Sequence, residues 1–543
     1  MPSRETIATY YESLEHLIAD KNWLFVLRTF HFALQKTKTL HHFTELAQFM
    51  ADVPPEVRCS QAWLEISLQI ACNGRNPDLI LEMQQQLSSQ AQQKSIAYWA
   101  WALRKKQRCQ EALSLLETDF TTLLNLGLAW RIRGECQMVL QQPGWFESLS
   151  RACEIQHGRA LGITRMEFGS YCFLAGKLQA AQTQYNQAYA LLKHDPYYAA
   201  WIKYNLGLVT LELHLPEAEQ HFYTAQIYSK NQQATEFQAR AWCGLGAVRR
   251  SQGQYARAEF AYKRGIEQAL ELDDRLAAYC GLAQTQRCQS KLNQALEQLY
   301  IAIDLALEVS PETDKVRILL IAALLQRGDL ADATQHLGLL ESTPSGESSQ
   351  RFLVIQAELQ RLAGDLGSAA TTLRQTDATR QCIREESQCF RALFALASSA
   401  VWSVKALPKA KKIKIEVRAL GVLEVRLGQQ IVPLKPTSKI AELLVLLLEH
   451  DGHASAEMLC QALYPTQTIP RKAQQALWGL SKQLREVLGW EESIQAKNKA
   501  YILQQDNVIW HYDARDQPKM RLLEGVYSNW VEELRQLDHS SSR

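Results

Sequence analysis

Residues 413–434, IKIEVRALGVLEVRLGQQIVPL, alternate apolar and polar side chains where the preceding four hundred residues follow a helical pattern. Ile413, Ile415 and Val417, then Val422, Val425 and Leu427, are separated by Gly421 and closed by Gly428, the period-two signature of a short β-meander. A third short strand is expected over Ile431 to Leu434. After Pro436 the period changes: Ile440, Leu443, Leu444, Leu447 and Leu448 form one helical stripe, with Thr437 or Ser438 available as N-cap. Gly452 stops that helix, Ser455 starts a second that ends at Pro465, and a loop through Ile469 and Pro470 leads to a third.

The third helix, expected over Arg471 to Leu488, has two chemically separate faces. Ala473, Leu477, Leu480, Leu484, Val487 and Leu488 make an apolar stripe, while Arg471, Lys472, Gln475, Trp478, Lys482 and Arg485 gather on the other side. A helix fits the major groove, Arg and Lys pair with guanine edges and Gln with adenine, so this face has the chemistry of base readout. A Trp on the polar side of a helix is exposed apolar surface, which marks a binding site more often than a merely solvated face. Ser493 to Gln504 then reads as a hairpin whose tip carries Lys497, Asn498 and Lys499, suited to phosphate contacts that set register rather than sequence. Lys435 and Lys439, near the start of the first of these helices, are grouped with the expected DNA contacts. Residues 409–500 hold fourteen Lys and Arg against nine Asp and Glu, whereas the whole chain is only +2, so the positive charge is concentrated here.

The runs RALGVLEVRLGQQIVPL (418–434), KIAELLVLLLEHDGHASAEMLCQALYP (439–465), KAQQALWGLSKQLREVLG (472–489) and KAYIL (499–503) resemble the OmpR/PhoB-type winged helix of bacterial SARP and BTAD regulators. LLEGVYSNWVEELRQL (522–537) is similar to the first helix of the activator domain that follows in that family. The resemblance implies that the third helix enters the major groove and that Lys497 and Lys499 sit on the wing. Two features depart from the family: Ala500 stands where Gly usually precedes the wing Tyr, and the helical repeats precede the winged helix instead of following it.

Those repeats are visible as Phe168-Gly169, Leu206-Gly207, Leu245-Gly246, Leu282-Ala283 and Leu320-Ile321, spaced 37 to 39 residues apart. Within them, Ala181, Tyr185 and Ala188 recur as Ala258, Tyr262 and Gly265, and as Ala295, Leu299 and Ala302. These offsets match the tetratricopeptide pattern, in which small residues let paired helices approach and an aromatic fills the gap. Because a single pair cannot bury its own apolar face, roughly nine or ten pairs are expected to stack into a solenoid with a long concave surface. Projection of the repeat places Tyr204, Arg250 and Arg287 on that surface; the two arginines occupy equivalent positions and would hold a carboxylate of an effector, with two solvated arginines as the plainer reading.

The expected fold is mainly α: a degenerate or capping segment over 1–100, a tetratricopeptide-like solenoid over 101–402, a basic linker over 403–412, an α+β winged helix over 413–515 and a C-terminal helix over 516–543. No apolar run approaches the length of a membrane span, and the N-terminus does not read as a signal peptide, so a cytoplasmic protein is expected. Twelve scattered cysteines, none paired at a two-residue spacing, argue against zinc ribbons, and the histidines lack carboxylates at metal-site spacing. Phosphate-binding, metalloprotease and serine-hydrolase motifs are absent, so neither enzyme activity, a cofactor nor a metal is expected. Two function classes follow. The leading one is a transcription regulator that binds double-stranded DNA, as a homodimer on repeated half-sites in one arrangement, under control of a peptide, small molecule or protein on the solenoid. The other is a non-enzymatic adaptor in which the winged helix docks protein.

Overall fold

A computed structural model describes residues 7–118, 123–231, 234–308, 313–341, 344, 346–397, 413–427, 430–467, 469–489, 491–505, 508–515 and 517–540. The chain divides into two units, residues 1–241 and 242–543. The basic linker expected over 403–412, and Gly428, lie outside the described residues.

Helical hairpins build the first unit and the start of the second, and the glycine–aromatic offsets seen in the sequence explain their packing. In the first unit, helix Gly158–Leu174 pairs with Leu178–Leu192, and Pro196–Glu212 pairs with Ala218–Ser229. A methyl group at Gly169 would lie 2.9 Å from the Tyr185 ring, and one at Gly207 would lie 2.6 Å from Phe222. In the second unit Gly246 faces Tyr262 in the same way, at 2.7 Å. The pairs Leu272–Cys288 with Leu292–Glu308, Thr313–Arg327 with Leu330–Leu337, and Gly346–Leu362 with Leu366–Leu373 continue the pattern. The fold of these segments is a tetratricopeptide-like helical solenoid.

The first hundred residues, expected as a helical cap or degenerate repeats, share a core with the repeats that follow. Val26, Phe30, Leu46, Met50, Trp63, Ile80, Met83 and Trp101 share one apolar core that runs on to Cys136. Asp195, the N-cap of Pro196–Glu212, also accepts the Leu40 amide at 2.8 Å and a bond from Arg159 at 2.7 Å, so the N-terminal helices are fastened to a repeat 155 residues downstream. A buried carboxylate that satisfies a cap, a second backbone amide and a guanidinium is a strong local constraint.

From Ile413 onward the architecture changes to α+β. Strands β1 (Ile413–Arg418), β2 (Glu424–Leu427) and β3 (Gln430–Ile431) form the expected antiparallel meander. The third strand is shorter than expected; Pro433, which lacks an amide hydrogen, follows close behind it. Helix Lys439–Glu449 is capped by Ser438, which accepts the Ala441 amide, and Ala456–Leu463 is capped by Ser455. Between them runs β4 (His453–Ser455), and after helix Pro470–Leu488 come β5 (Ile494–Lys497), β6 (Ala500–Leu503) and β7 (Val508–Tyr512). Two sheets result, ordered β3-β2-β1-β7 and β4-β6-β5, with β7 parallel to β1. Neither β4 nor the parallel β7 was expected from the sequence.

The C-terminal helix begins later than expected, at Asn529 rather than Leu522. Leu522 bridges Leu420 and the Leu523 amide bonds to Ala419 at 2.7 Å, so LLEG closes the edge of the meander instead. Leu523 and Gly525 take left-handed backbone, which no continuous helix allows. Trp530 then donates to Glu442 at 3.0 Å, docking the C-terminal helix on Lys439–Glu449. Among the described residues no helix is long and apolar enough to cross a membrane, and no cluster of three metal-ligating side chains occurs.

Candidate nucleic-acid interface and the repeat groove

Pro470 at the first helical turn and Gly489 in left-handed backbone at its end bracket the helix Pro470–Leu488. Ala473, Leu477, Ser481, Leu484 and Leu488 face the domain core, while Leu480 and Val487 are only half-buried. Arg471, Lys472, Gln475, Trp478 and Lys482 are exposed on the opposite side, and Trp478 keeps 59% of its surface in solvent. An indole left open in the middle of a cationic stripe is the most distinctive surface feature of this domain.

Arg485 departs from its expected role. It is half-buried, and its Nε donates to the Ile494 carbonyl at 2.9 Å, fastening the helix to β5. The hairpin that follows is set by a two-residue turn with Asn498 and Lys499 both at positive φ, 53° and 60°, and Lys497 paired with Ala500. That geometry matches the right-handed twist of the strands. Lys497, Asn498 and Lys499 are exposed at its tip, and Ala500 is buried beneath. Lys435 is exposed, whereas Lys439 is held by Glu442 at 2.9 Å, the carboxylate that also receives Trp530.

The C-terminal end of the same helix meets two repeat helices, Phe237–Ser251 and Tyr255–Gln268, which the sequence did not foretell. Arg249 donates to the Gly489 carbonyl at 3.0 Å, and Arg264 pairs with Glu486 at 3.1 Å. Beside these contacts, Lys482 lines a cavity of about 190 Å³ with Glu259, Glu267 and Glu492. The free carbonyls of a helix end attract cations, which accounts for Arg249 at this position. Lys482 therefore faces repeat carboxylates, while Arg471, Lys472, Gln475 and Trp478 stay open.

The expected effector site is occupied by the chain itself. Helix Gln381–Cys389 lies against the repeat helices Leu272–Cys288 and Gly346–Leu362 and presents Glu385 and Glu386 to them. Arg250 Nε donates to Glu385 at 2.9 Å, and Arg287 grips Glu386 with two bonds of 3.0 and 2.8 Å. Arg351 joins both carboxylates and Gln284 adds a bond to Glu386. Arg287 and Arg351 hold the Glu386 carboxyl below its usual range despite complete burial. Arg250 and Arg287 are thus paired with carboxylates of the chain itself, neither solvated nor facing an open groove as the two sequence readings had them. Tyr204 belongs to the first unit, where it packs edge-on against Phe222 at 5.8 Å. The doublet Glu385-Glu386 was the only sequence signal for this arrangement, and on a helix it reads equally well as a solvated face.

No family model and no curated protein matches the chain. Solved structures match at the level of helical repeats. The APC/C hetero-tetramer Cut9-Hcn1 is 16% identical over 52% of this chain and 53% of that one, with a TM-score of 0.41. This chain thus spans about half the length of that one. A Rap protein complexed with competence and sporulation factor is 15% identical over 72% of this chain and 97% of its own, with a TM-score of 0.38. The apo form of RapI is 11% identical over 71% and 98%, with a TM-score of 0.35. No residue role is transferred from these likenesses.

Proposed function

We propose that residues 413–515 are a winged-helix reader of double-stranded DNA and that the repeats control it by binding a partner, making the chain a DNA-binding regulator. The observation that carries this reading is the open stripe Arg471, Lys472, Gln475 and Trp478 on a helix that buries Ala473, Leu477, Ser481, Leu484 and Leu488 on its other side. Guanidinium and amide groups on such a helix match base edges, and the exposed lysines at the hairpin tip match phosphate. Fluorescence anisotropy of the full chain with labelled genomic duplex fragments tests it. Saturable binding is expected, weakened at least about tenfold by Arg471→Glu with Lys472→Glu, because each lost phosphate or base contact removes a favourable term. Native-like binding in that variant, or none in the native chain, would overturn the proposal.

A second reading, an adaptor whose C-terminal domain docks protein, is favoured by one observation: the reading helix already docks on protein, through Arg249 and Arg264. Helical repeats are suited to protein interaction in either case. The adaptor reading expects no duplex binding at low salt, and saturable binding there would remove it.

A further inference from the structure

In the first unit, the leading helices of five consecutive hairpins surround a cavity of about 220 Å³. Its apolar walls are aromatic: Tyr98, Trp101, Tyr198 and Trp201. Arg75, Lys105 and Arg131 also line it, with Glu167 as the only carboxylate among the lining residues. Deeper, Glu135 is almost fully buried between Arg131 at 3.4 Å and Arg104 at 3.5 Å. Four cations thus surround two carboxylates, and the pairing is incomplete. The Nε atoms of Arg131 and Arg104 are the ones that approach Glu135, but outside hydrogen-bond geometry, and Arg104 spends a second donor on the Tyr171 hydroxyl at 2.8 Å. Arg131 is only 7% exposed and its one carboxylate contact is long and poorly aligned, so a better-placed acceptor would gain a charge-assisted bond there. Lys105 reaches Glu167 only at 3.7 Å. The Arg75 guanidinium stacks over Tyr197 and Trp201 at 5.3 and 5.6 Å, which holds its charge at the rim. Cys72, also in the lining, adds no negative charge, because burial pushes its thiol up to about 11.

We propose that this cavity binds a small planar anion, an aromatic carboxylate, with its ring between the Trp and Tyr side chains and its carboxylate toward Arg131 and Lys105. Aromatic walls favour a flat apolar body, and a surplus of poorly paired guanidinium and ammonium donors favours an acceptor-only charged group. The volume corresponds to about seven waters at liquid density, enough for a bicyclic acid. The site is independent of whether the C-terminal domain reads DNA, and its test does not involve DNA.

Isothermal titration of the full chain with 2-naphthoate, and with neutral 2-naphthamide of the same shape, reads the proposal directly. One site per chain is expected, with the amide at least about tenfold weaker, a loss of the size a charge-assisted hydrogen bond supplies. Arg131→Met and the more exposed Lys105→Met should each weaken naphthoate about tenfold. The Lys105 variant should retain the native melting temperature, which separates lost binding from lost folding. Equal binding of acid and amide, no saturable binding of naphthoate, or native affinity in a folded Lys105→Met chain would each overturn the proposal.

Discussion

His221 shows how far one side chain's environment departs from what its neighbours in sequence suggest. Burial beside Lys203 lowers its pKa to about 4, Glu217 opposing only weakly, so the ring is neutral when folded and protonates more readily when unfolded. A histidine depressed in this way contributes stability that is present above about pH 6.5 and is lost as pH falls from there toward about 4. We expect His221→Gln to flatten the melting temperature between those limits; an unchanged pH profile would show that the ring is not desolvated. Arg287 gives a second residue-scale prediction. Its carboxylate partner Glu386 is buried, so Arg287→Ala should destabilise the second unit by about 1.5–3 kcal/mol in chemical denaturation, because Glu386 loses its two-bond partner and keeps only Arg351 and Gln284. An effector-binding arginine on an open groove would instead cost little. Neither role was legible in the sequence, since ion-pair partners about a hundred residues apart leave no periodic trace.

At the scale of elements, what was legible depended on how local the cause is. The alternation of 413–427, the stripe of 439–449 and the glycine–aromatic offsets of the repeats are each set by residues within one or two turns, and all describe the elements found. Strand β7 pairs with β1 across more than ninety residues, and VIWHY carries no clean alternation to announce it. LLEGVY was expected to be helical from the family resemblance alone, yet Leu522 and Leu523 are buried against the end of β1. Two glycines make the packing account testable. Gly207→Ala forces a methyl into the Phe222 ring and should destabilise by about 1–3 kcal/mol, as overpacking does. Gly479, in the middle of helix Pro470–Leu488, faces open space, so Gly479→Ala should stabilise by about 0.5–1 kcal/mol. Urea denaturation of the two variants distinguishes them by sign. A destabilising Gly479→Ala would mean that another element covers that turn.

For the whole molecule, the sequence separated a repeat fold from an α+β fold correctly and located the cationic stripe, but it could not show that part of the stripe faces the repeats. Lys482 and Arg485 were read with the open face because helical angle alone places them there. In the structure one lies beside Glu259 and Glu267 and the other is bound to Ile494. Contacts through Arg249 and Arg264 fasten the repeats to the C-terminal end of helix Pro470–Leu488. On the reading proposed above, Arg471, Lys472, Gln475 and Trp478 meet the bases of a duplex, with Lys497 and Lys499 on phosphate. The measurement that tests it most directly is the affinity of the native full chain for a randomised duplex pool as a function of salt. The two phosphate contacts of Lys497 and Lys499 predict a slope of log affinity against log salt of about −2, roughly −0.9 per contact. A slope near zero, or no saturable binding at the lowest salt, would contradict it.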